Sequence, residues 1–287
     1  MYSTFITNKL LSELSTFGIG GPARYFVEVK EISHMQQLIA FCTEEGLEYF
    51  VLGKGSNCLF DSKGLNRLVI HNKIDFCTEL EPGSFHVGAG YSFSLLGMQT
   101  AKKGWSGLEF ASGIPASVGG AVFMNAGAQK QSTFDTLVWV EAVIADGSLV
   151  RFSKDEIAHA YRYSAFQDMK AVIVSGLFSL TQSSEARTRQ LDLLSTRIRS
   201  QPYQDKSAGC VFKNPTCTSA GALIDACNLK GFSIGGAAVS QIHANFLINQ
   251  SGASSEDVLA LIDHVQKRVK ETHAVELKRE IFWVSDQ

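Results

Sequence analysis

Proline is scarce in this chain, five among 287 residues. Uninterrupted apolar runs are short. None approaches the roughly 18 residues that a spanning helix requires, so no membrane association is expected. A basic block is missing as well. The formal net charge is −2, which argues against nucleic acid as the main partner and leaves room only for a local cationic pocket. The N-terminal stretch "MYSTFITNKLLSELSTFGIGG" lacks a basic start followed by an apolar run, so no signal peptide is expected. The cysteines are Cys42, Cys58, Cys77, Cys210, Cys217 and Cys227, and no two form a C-x-x-C pair. Zinc spacing is therefore absent, no metal is expected, and reduced thiols in a cytoplasm fit best. All but Cys210 are read as small, mostly buried apolar side chains. Internal repeats and low-complexity segments are also absent.

What remains is an ordinary soluble composition, 45% hydrophobic and 19% charged, in a chain long enough to bury a large core and to split into two or three subdomains. Glycine is the outlier, at 25 residues. It clusters at 18–21, 53–55, 88–90, 113–127 and 231–236, where tight turns form or backbone approaches a ligand closely. "ARYFVEVK" predicts a strand. "SHMQQLIAFCTEEG" predicts a helix with Ser33 as cap and Gly46 as stop, and "YFVLG" and "RLVIHN" predict strands, together a small β-α-β opening. Further strands are predicted at "SFHVGAG", "LVWVEAVIADGSLVRF" with a hairpin turn at Asp146-Gly147, and "AVIVSGLFSL". Helices are predicted at "FSLLGMQTAKKG", "ASVGGAVFMNAGA" and "SEARTRQLDLLSTRIRSQ", the last with an apolar stripe of Leu191, Leu194 and Ile198. The last third reads as α+β. "SAGALIDACNLKG" is helical, "FLINQ" is a strand, "SSEDVLALIDHVQKRVKETH" is a helix capped by Ser254 or Ser255, and "VELKREIFWV" is a strand.

Two glycine-rich loops carry the chemistry. In "GKGSN" (Gly53, Lys54, Gly55, Ser56, Asn57), successive backbone N–H groups form a nest suited to phosphate oxygens. The spacing matches neither a P-loop nor a Rossmann fingerprint, and a plain glycine turn is the competing reading. In "GIPASVGGAVFMNAGA", Gly113, Gly119, Gly120 and Gly127 bare the backbone. Pro115, after Ile114, sets a turn, Ser117 caps the helix, and Asn125 offers a donor and an acceptor. Helix N-termini with exposed amides suit diphosphates, while a tightly packed helix is the alternative. Two such loops in one chain favour a dinucleotide site. A third stretch, "SAGCVFKNP", places Cys210 among small residues, either as core filler or as a working S–H group.

The ordered set "TFGIGGPARYF", "LGKGSNCLF", "GLEFASGIPASVGGAVFMNAGA", "YRYSAF", "SAGCVFKNP", "LKGFSIGGAAVS", "HANFLIN" and "ELKRE" closely resembles the UDP-N-acetylenolpyruvoylglucosamine reductase family, from about Thr16 to Glu280. The resemblance implies an α+β architecture, the vanillyl-alcohol oxidase (PCMH)-type FAD-binding fold. Two FAD-binding subdomains, 1–72 and 73–185, would be followed by a C-terminal α+β substrate-binding domain, 186–287. It implies non-covalent FAD held by the two glycine-rich loops, NADPH as reductant, and UDP-N-acetylglucosamine enolpyruvate as substrate. Product would be UDP-N-acetylmuramate, in cytoplasmic peptidoglycan precursor synthesis, and a monomer is expected. The compact chain resembles the shorter type of this family, without an extra tyrosine-bearing loop.

In the family reaction NADPH reduces FAD. Flavin N5 then gives a hydride to the vinyl CH2 carbon, and a proton reaches the adjacent carbon. Electrons pushed toward the substrate carboxylate need fixed positive charge. Arg162 of "YRYSAF" aligns with the family arginine in that role, its planar fork suiting a carboxylate. Glu280 of "ELKRE" aligns at the same end, and is either protonated or orients Arg162 or a water. The proton donor aligns with Cys210, where most members carry serine. A thiol of pKa ~8.5 is mostly protonated at neutral pH yet yields its proton more readily than an alcohol. Lys213 and Asn214 of "FKNP", Lys230 of "LKG" and His243 align with substrate contacts, each with a solvated surface residue as the alternative. Tyr161 and Tyr163 are expected to pack. Two rival functions are an alcohol oxidase of the same fold and a non-catalytic nucleotide-binding protein. The first is disfavoured because the loop "GKGSN" carries no flavin-linking histidine, His71 lying well beyond it. The second is disfavoured because Arg162, Cys210 and Glu280 are all present.

Overall fold

A computed structural model describes residues 5–216 and 218–286, so Cys217 and the first four residues of the stretch read for a signal peptide lie outside the described residues. The chain divides into two compact units, 1–5, 26–54 and 67–197 in the first, and 6–25, 55–66 and 198–287 in the second.

In the first unit the opening β-α-β pattern is realised. Helix α1 (Ile32–Glu44) buries Met35, Leu38, Ile39 and Cys42, the stripe its 3.6-residue spacing predicts. Its cap position is Glu31, which makes no side-chain hydrogen bond, so Ser33 lies inside the helix and does not cap it. Gly46 ends the segment with φ +61. The strand Tyr49–Leu52 pairs in parallel with Leu65–Asn72, Leu52 opposite His71. A five-stranded sheet follows, in the order Leu149–Ser153, Leu137–Ile144, Ala171–Ser179, Ser84–Gly88, Cys77–Glu81. Its hairpin turns at Asp146-Gly147, where Gly147 takes φ +84. Helices α2 (Phe93–Lys102) and α3 (Val118–Phe123) contribute Phe93, Leu96, Val118 and Val122 to the buried core over this sheet. Helix α4 (Ala186–Ser200) forms, but it buries Ala186 and Gln190. The expected stripe fails at Leu191 and Ile198, which are 46% and 55% exposed.

The second unit is built on a sheet ordered Ser207–Cys210, Phe246–Asn249, Ala237–Val239, Ser233–Ile234. Helices α5 (Ala220–Ala226) and α6 (Ser255–His273) flank it, and Val258, Leu261, Ile262, Val265 and Val269 of α6 join the core with Val211, Phe212 and Leu247. Ser254 and Asp257 close a capping box on α6. The strand predicted over 275–284 is shorter than expected. Only Phe282–Val284 pairs, in parallel with Cys58–Phe60, while Arg279 makes an isolated bridge to Phe212. Among the described residues no helix is long and apolar enough to cross a membrane, and no group of His, Cys, Asp and Glu has the arrangement of a metal site.

Candidate active site

In the first unit Gly53, from one glycine-rich loop, lies against Ser117 of the other. A Cβ built on Gly53 would collide with Ser117 Oγ, which explains the glycine directly. Ser117 caps α3 by accepting from Gly120 N at 3.2 Å, as its position predicts. The exposed amides expected at this helix start are not found. Val118 N donates to Tyr91 O at 2.9 Å and Gly119 N to Ala89 O at 2.8 Å. Gly113 N donates to Ser94 Oγ at 2.8 Å and Ile114 N to Ala111 O at 2.9 Å. The reason is close packing. A Cβ on Gly119 would stand 2.9 Å from that of Ala89.

The other loop differs. The backbone N–H groups of Gly53, Lys54, Gly55 and Ser56 donate to no group of the described residues, and that of Asn57 meets the Cys58 thiol. His71, distant in sequence, stands beside this loop, its ring meeting the Gly53 backbone. It is 8% exposed, and Nδ1 lies 3.3 Å from Glu28 Oε1 without forming a hydrogen bond. Burial, joined by the Lys73 charge, holds this imidazole below the ordinary histidine range against the opposing pull of Glu28.

Arg162 sits in left-handed backbone, φ +56, an uncommon and costly conformation for a residue with a Cβ. Its Nη2 donates to Gly127 O at 2.9 Å, Gln167 Nε2 holds its carbonyl at 3.2 Å, and the guanidinium lies 5.0 Å from the Tyr161 ring centroid. Tyr161 is 54% exposed, and its ring packs on the Arg162 guanidinium at the surface and not in the core. Tyr163 instead donates to Asp168 Oδ2 at 2.7 Å. Asn125 spends its amide inside the protein, donating to Ala160 O at 3.0 Å and accepting from Phe134 N at 3.2 Å. It thereby ties the loop ending at Gly127 to the turn bearing Arg162.

In the second unit Cys210 follows a β-bulge. Ser207 pairs with Ile248 and Cys210 with Phe246, so three steps on one strand meet two on the other. Gly209 takes φ +78 to allow this, and a Cβ there would have open space within 4 Å. The extra residue brings Cys210 onto the face that Gly209 would occupy in a regular ladder. Beyond it the chain is locked. Buried Asn245 accepts from Phe212 N at 3.0 Å and donates to Phe212 O at 2.8 Å, and its carbonyl accepts from Val211 N at 2.8 Å. Glu280 N donates to Val211 O at 2.7 Å, and Asn57 Nδ2 donates to Glu280 O at 3.3 Å. The structure thus brings Asn57, the Cys210 strand and Glu280 into one laced cluster, although they are far apart in sequence.

The expected substrate contacts are more dispersed. Lys213 is half-buried, its N–H on Lys278 O at 2.9 Å. Asn214 Oδ1 accepts from Ala220 N at 3.0 Å, and Lys230 pairs with Asp225 at 2.9 Å. His243 Nδ1 accepts from Asn245 N at 3.2 Å, so the ring is neutral at Nδ1. Burial, with Lys230 adding, holds it below the usual range. The cysteines read as core filler split. Cys42 and Cys227 are buried, while Cys58 and Cys77 are partly exposed at the residue level. Burial still pushes the Cys42 and Cys58 thiols up, to about 11 and about 12. Asn245 and Thr16 were not singled out by sequence reasoning. Both lie in motif stretches, "HANFLIN" and "TFGIGG", and a buried asparagine between apolar residues was the available signal.

Comparison with known proteins gives these loops a class first. Residues 23–153 match the family model of an FAD binding domain, and the chain is a flavoprotein of the oxidoreductase class with an α+β fold. Residues 201–284 match the C-terminal domain of UDP-N-acetylenolpyruvoylglucosamine reductase. The reductase of that name from Protochlamydia amoebophila is 56% identical over 97% of this chain and 93% of its own. That from Chlamydia muridarum is 48% identical over 94% of this chain and 91% of its own. The crystal structure of the Thermus caldophilus reductase superposes with a TM-score of 0.82 at 36% identity, covering 96% of this chain and 97% of that one. The chain belongs to the UDP-N-acetylenolpyruvoylglucosamine reductase family.

The residues present fit a flavin dinucleotide. The N–H groups of Gly53–Ser56, which donate to no group of the described residues, are donors of the kind a diphosphate requires. Beside the second loop, Ser112 Oγ is buried, its residue 1% exposed, and has no partner among the described residues.

Proposed function

We propose that this protein reduces the enolpyruvyl ether of UDP-N-acetylglucosamine enolpyruvate to the lactyl ether of UDP-N-acetylmuramate, a step of cytoplasmic peptidoglycan precursor synthesis, with NADPH as reductant. The reading is supported above all by the bulge at Gly209, which comes just before Cys210 in a strand whose next residue, Val211, is held by Glu280 N. Bound FAD supplies the hydride, taken from NADPH. Residues Gly53–Asn57 hold its diphosphate, Gly53–Ser56 through their open backbone donors. The stretch 113–127, with Gly113, Ile114, Pro115, Ser117, Gly119, Gly120, Asn125 and Gly127, shapes the second wall through close packing. Residues 1–72 and 73–185 serve the flavin and 186–287 the substrate, and the protein acts as a monomer.

When the terminal CH2 carbon receives the hydride it becomes a methyl group, and negative charge spreads into the carboxylate. Arg162, its guanidinium aimed by Gly127 O and the Tyr161 ring, stabilises that charge. Cys210 gives its S–H proton to the carbon that bears the ether oxygen and carboxylate, and the thiolate left behind is reprotonated from water. Glu280 works at the same end of the substrate, as a protonated acid or by orienting Arg162 or a water. Lys213 and His243 contact the sugar nucleotide. Asn214 and Lys230 join them by exchanging their present partners.

Anaerobic half-reactions test this. NADPH should bleach the flavin of the purified holoprotein, and the enolpyruvyl sugar nucleotide should restore its absorbance. Cys210→Ala should keep the bleaching and slow the restoration by about 10²–10⁴-fold, and Cys210→Ser should retain measurable turnover. Flavin that O2 reoxidises but the sugar nucleotide does not would overturn the proposal, and a normal second half-reaction in Cys210→Ala would overturn the role of the thiol.

A further inference from the structure

Thr16 occupies a place that neither loop chemistry nor core packing explains. Its N–H donates to Gly55 O at 3.2 Å, and its Oγ1 donates to Ser207 O at 2.7 Å, with Gly55 O a further 3.5 Å contact. One residue therefore holds two carbonyls, one in the loop with open amides and one at the last regular pair before the Cys210 bulge. Its neighbours keep it there. Phe17 is fully buried and its carbonyl accepts from Asn249 Nδ2 at 3.1 Å, while Gly18 lies against the Lys206 side chain.

The bulge needs such an anchor. Gly209 has no side chain to pack and takes left-handed backbone, so the strand can swivel there unless both flanks are fixed. Asn245 and Glu280 fix the C-terminal flank at Val211 and Phe212. On the N-terminal flank, the pairing of Ser207 with Ile248 and the Thr16 hydroxyl do so. We propose that Thr16 is a positioning residue that sets the direction of the Cys210 side chain and registers it against the Gly55 loop. The inference rests on the proposed function for its catalytic meaning, though its geometric content does not.

The test compares holoprotein of wild type, Thr16→Val, which keeps the branched shape and removes the hydroxyl, and Thr16→Ser, which restores it. Iodoacetamide modification of Cys210 is followed by peptide mass spectrometry across pH 6–9, alongside the two anaerobic half-reactions. In Thr16→Val the Cys210 alkylation profile should shift, reoxidation by the enolpyruvyl sugar nucleotide should slow about tenfold, the scale of a small misplacement, and reduction by NADPH should slow less. Thr16→Ser should return all three toward wild type. Two results would overturn the inference. One is an unchanged Cys210 profile in Thr16→Val. The other is equal slowing of both half-reactions with flavin release, the mark of a merely structural tie. Should Thr16→Val not fold, Thr16→Ala against Thr16→Ser carries the same comparison. If wild type itself ignores the sugar nucleotide, the proposed function fails, while the alkylation profiles still decide the role of Thr16.

Discussion

The two glycine-rich loops look alike in sequence and differ in the folded chain. In 53–57, one glycine is required by Ser117 Oγ and another, Gly55, by the Leu14 carbonyl, while the amides from Gly53 to Ser56 stay open. In 113–120, the amides of Gly113, Ile114, Val118, Gly119 and Gly120 are all spent on the protein. Glycine in the first loop yields a donor surface. In the second it yields contact between α3 and the Ala89 backbone. A cluster of glycines therefore says that something comes close, and only the fold says whether that is a ligand or another strand.

Breaking the contact between the loops should have the largest effect. Gly53→Ala forces Cβ into Ser117 Oγ. Overpacking of that kind costs about 1–3 kcal/mol, and because the open amides flank the site, flavin affinity should drop by roughly 10–100-fold. Flavin content after gel filtration and a fluorescence titration of the apoprotein would measure it. Ser117→Ala in the same chain removes the obstructing oxygen and should recover part of the loss. No recovery would mean that Gly53 serves the cofactor for a reason other than room.

A smaller effect should separate neighbours inside the second loop. Gly119→Ala pushes a methyl against Ala89 and should lower stability by about 1–3 kcal/mol, read as a fall in Tm. Gly120 has only Ser117 Oγ nearby, at 3.3 Å, so Gly120→Ala should be neutral or gain up to about 1 kcal/mol of helix propensity. If Gly120→Ala keeps its Tm yet loses flavin, that face of α3 meets the cofactor, and the contrast between the loops narrows.

Much of the fold was legible because periodicity is local. The α1 stripe, the α6 capping box and the Asp146-Gly147 turn each depend on residues close in sequence. The failures share a cause. Leu191 and Ile198 are spaced for a helix face, but nothing in the spacing says that a partner covers that face. Ser33 has a capping side chain, yet the helix starts before it. Arg162, Cys210 and Glu280 were legible through the motifs that carry them. Their supports were not, since Thr16 and Asn245 act through hydrogen bonds to residues far away in sequence, and so does Asn57, which was legible only as part of the phosphate loop. His71 shows the same limit, because parallel pairing with Leu52 brings it to Gly53.

That histidine gives the last and smallest way to tell the loops apart. Burial keeps His71 neutral in the folded state, with Glu28 and Lys73 the charged groups around it. A group whose folded pKa is depressed contributes stability that is complete above its unfolded pKa of about 6.5 and fades as pH falls through the folded value. Charging of His71 acts on Gly53, in the loop with open amides. The folded chain should therefore lose stability between pH 7.5 and pH 5, read as a fall in Tm of at most a few degrees. His71→Gln, which cannot charge, should flatten that slope and leave Tm at pH 7.5 nearly unchanged. A slope that survives His71→Gln would place the titrating group elsewhere and leave the Gly53 loop indifferent to acid.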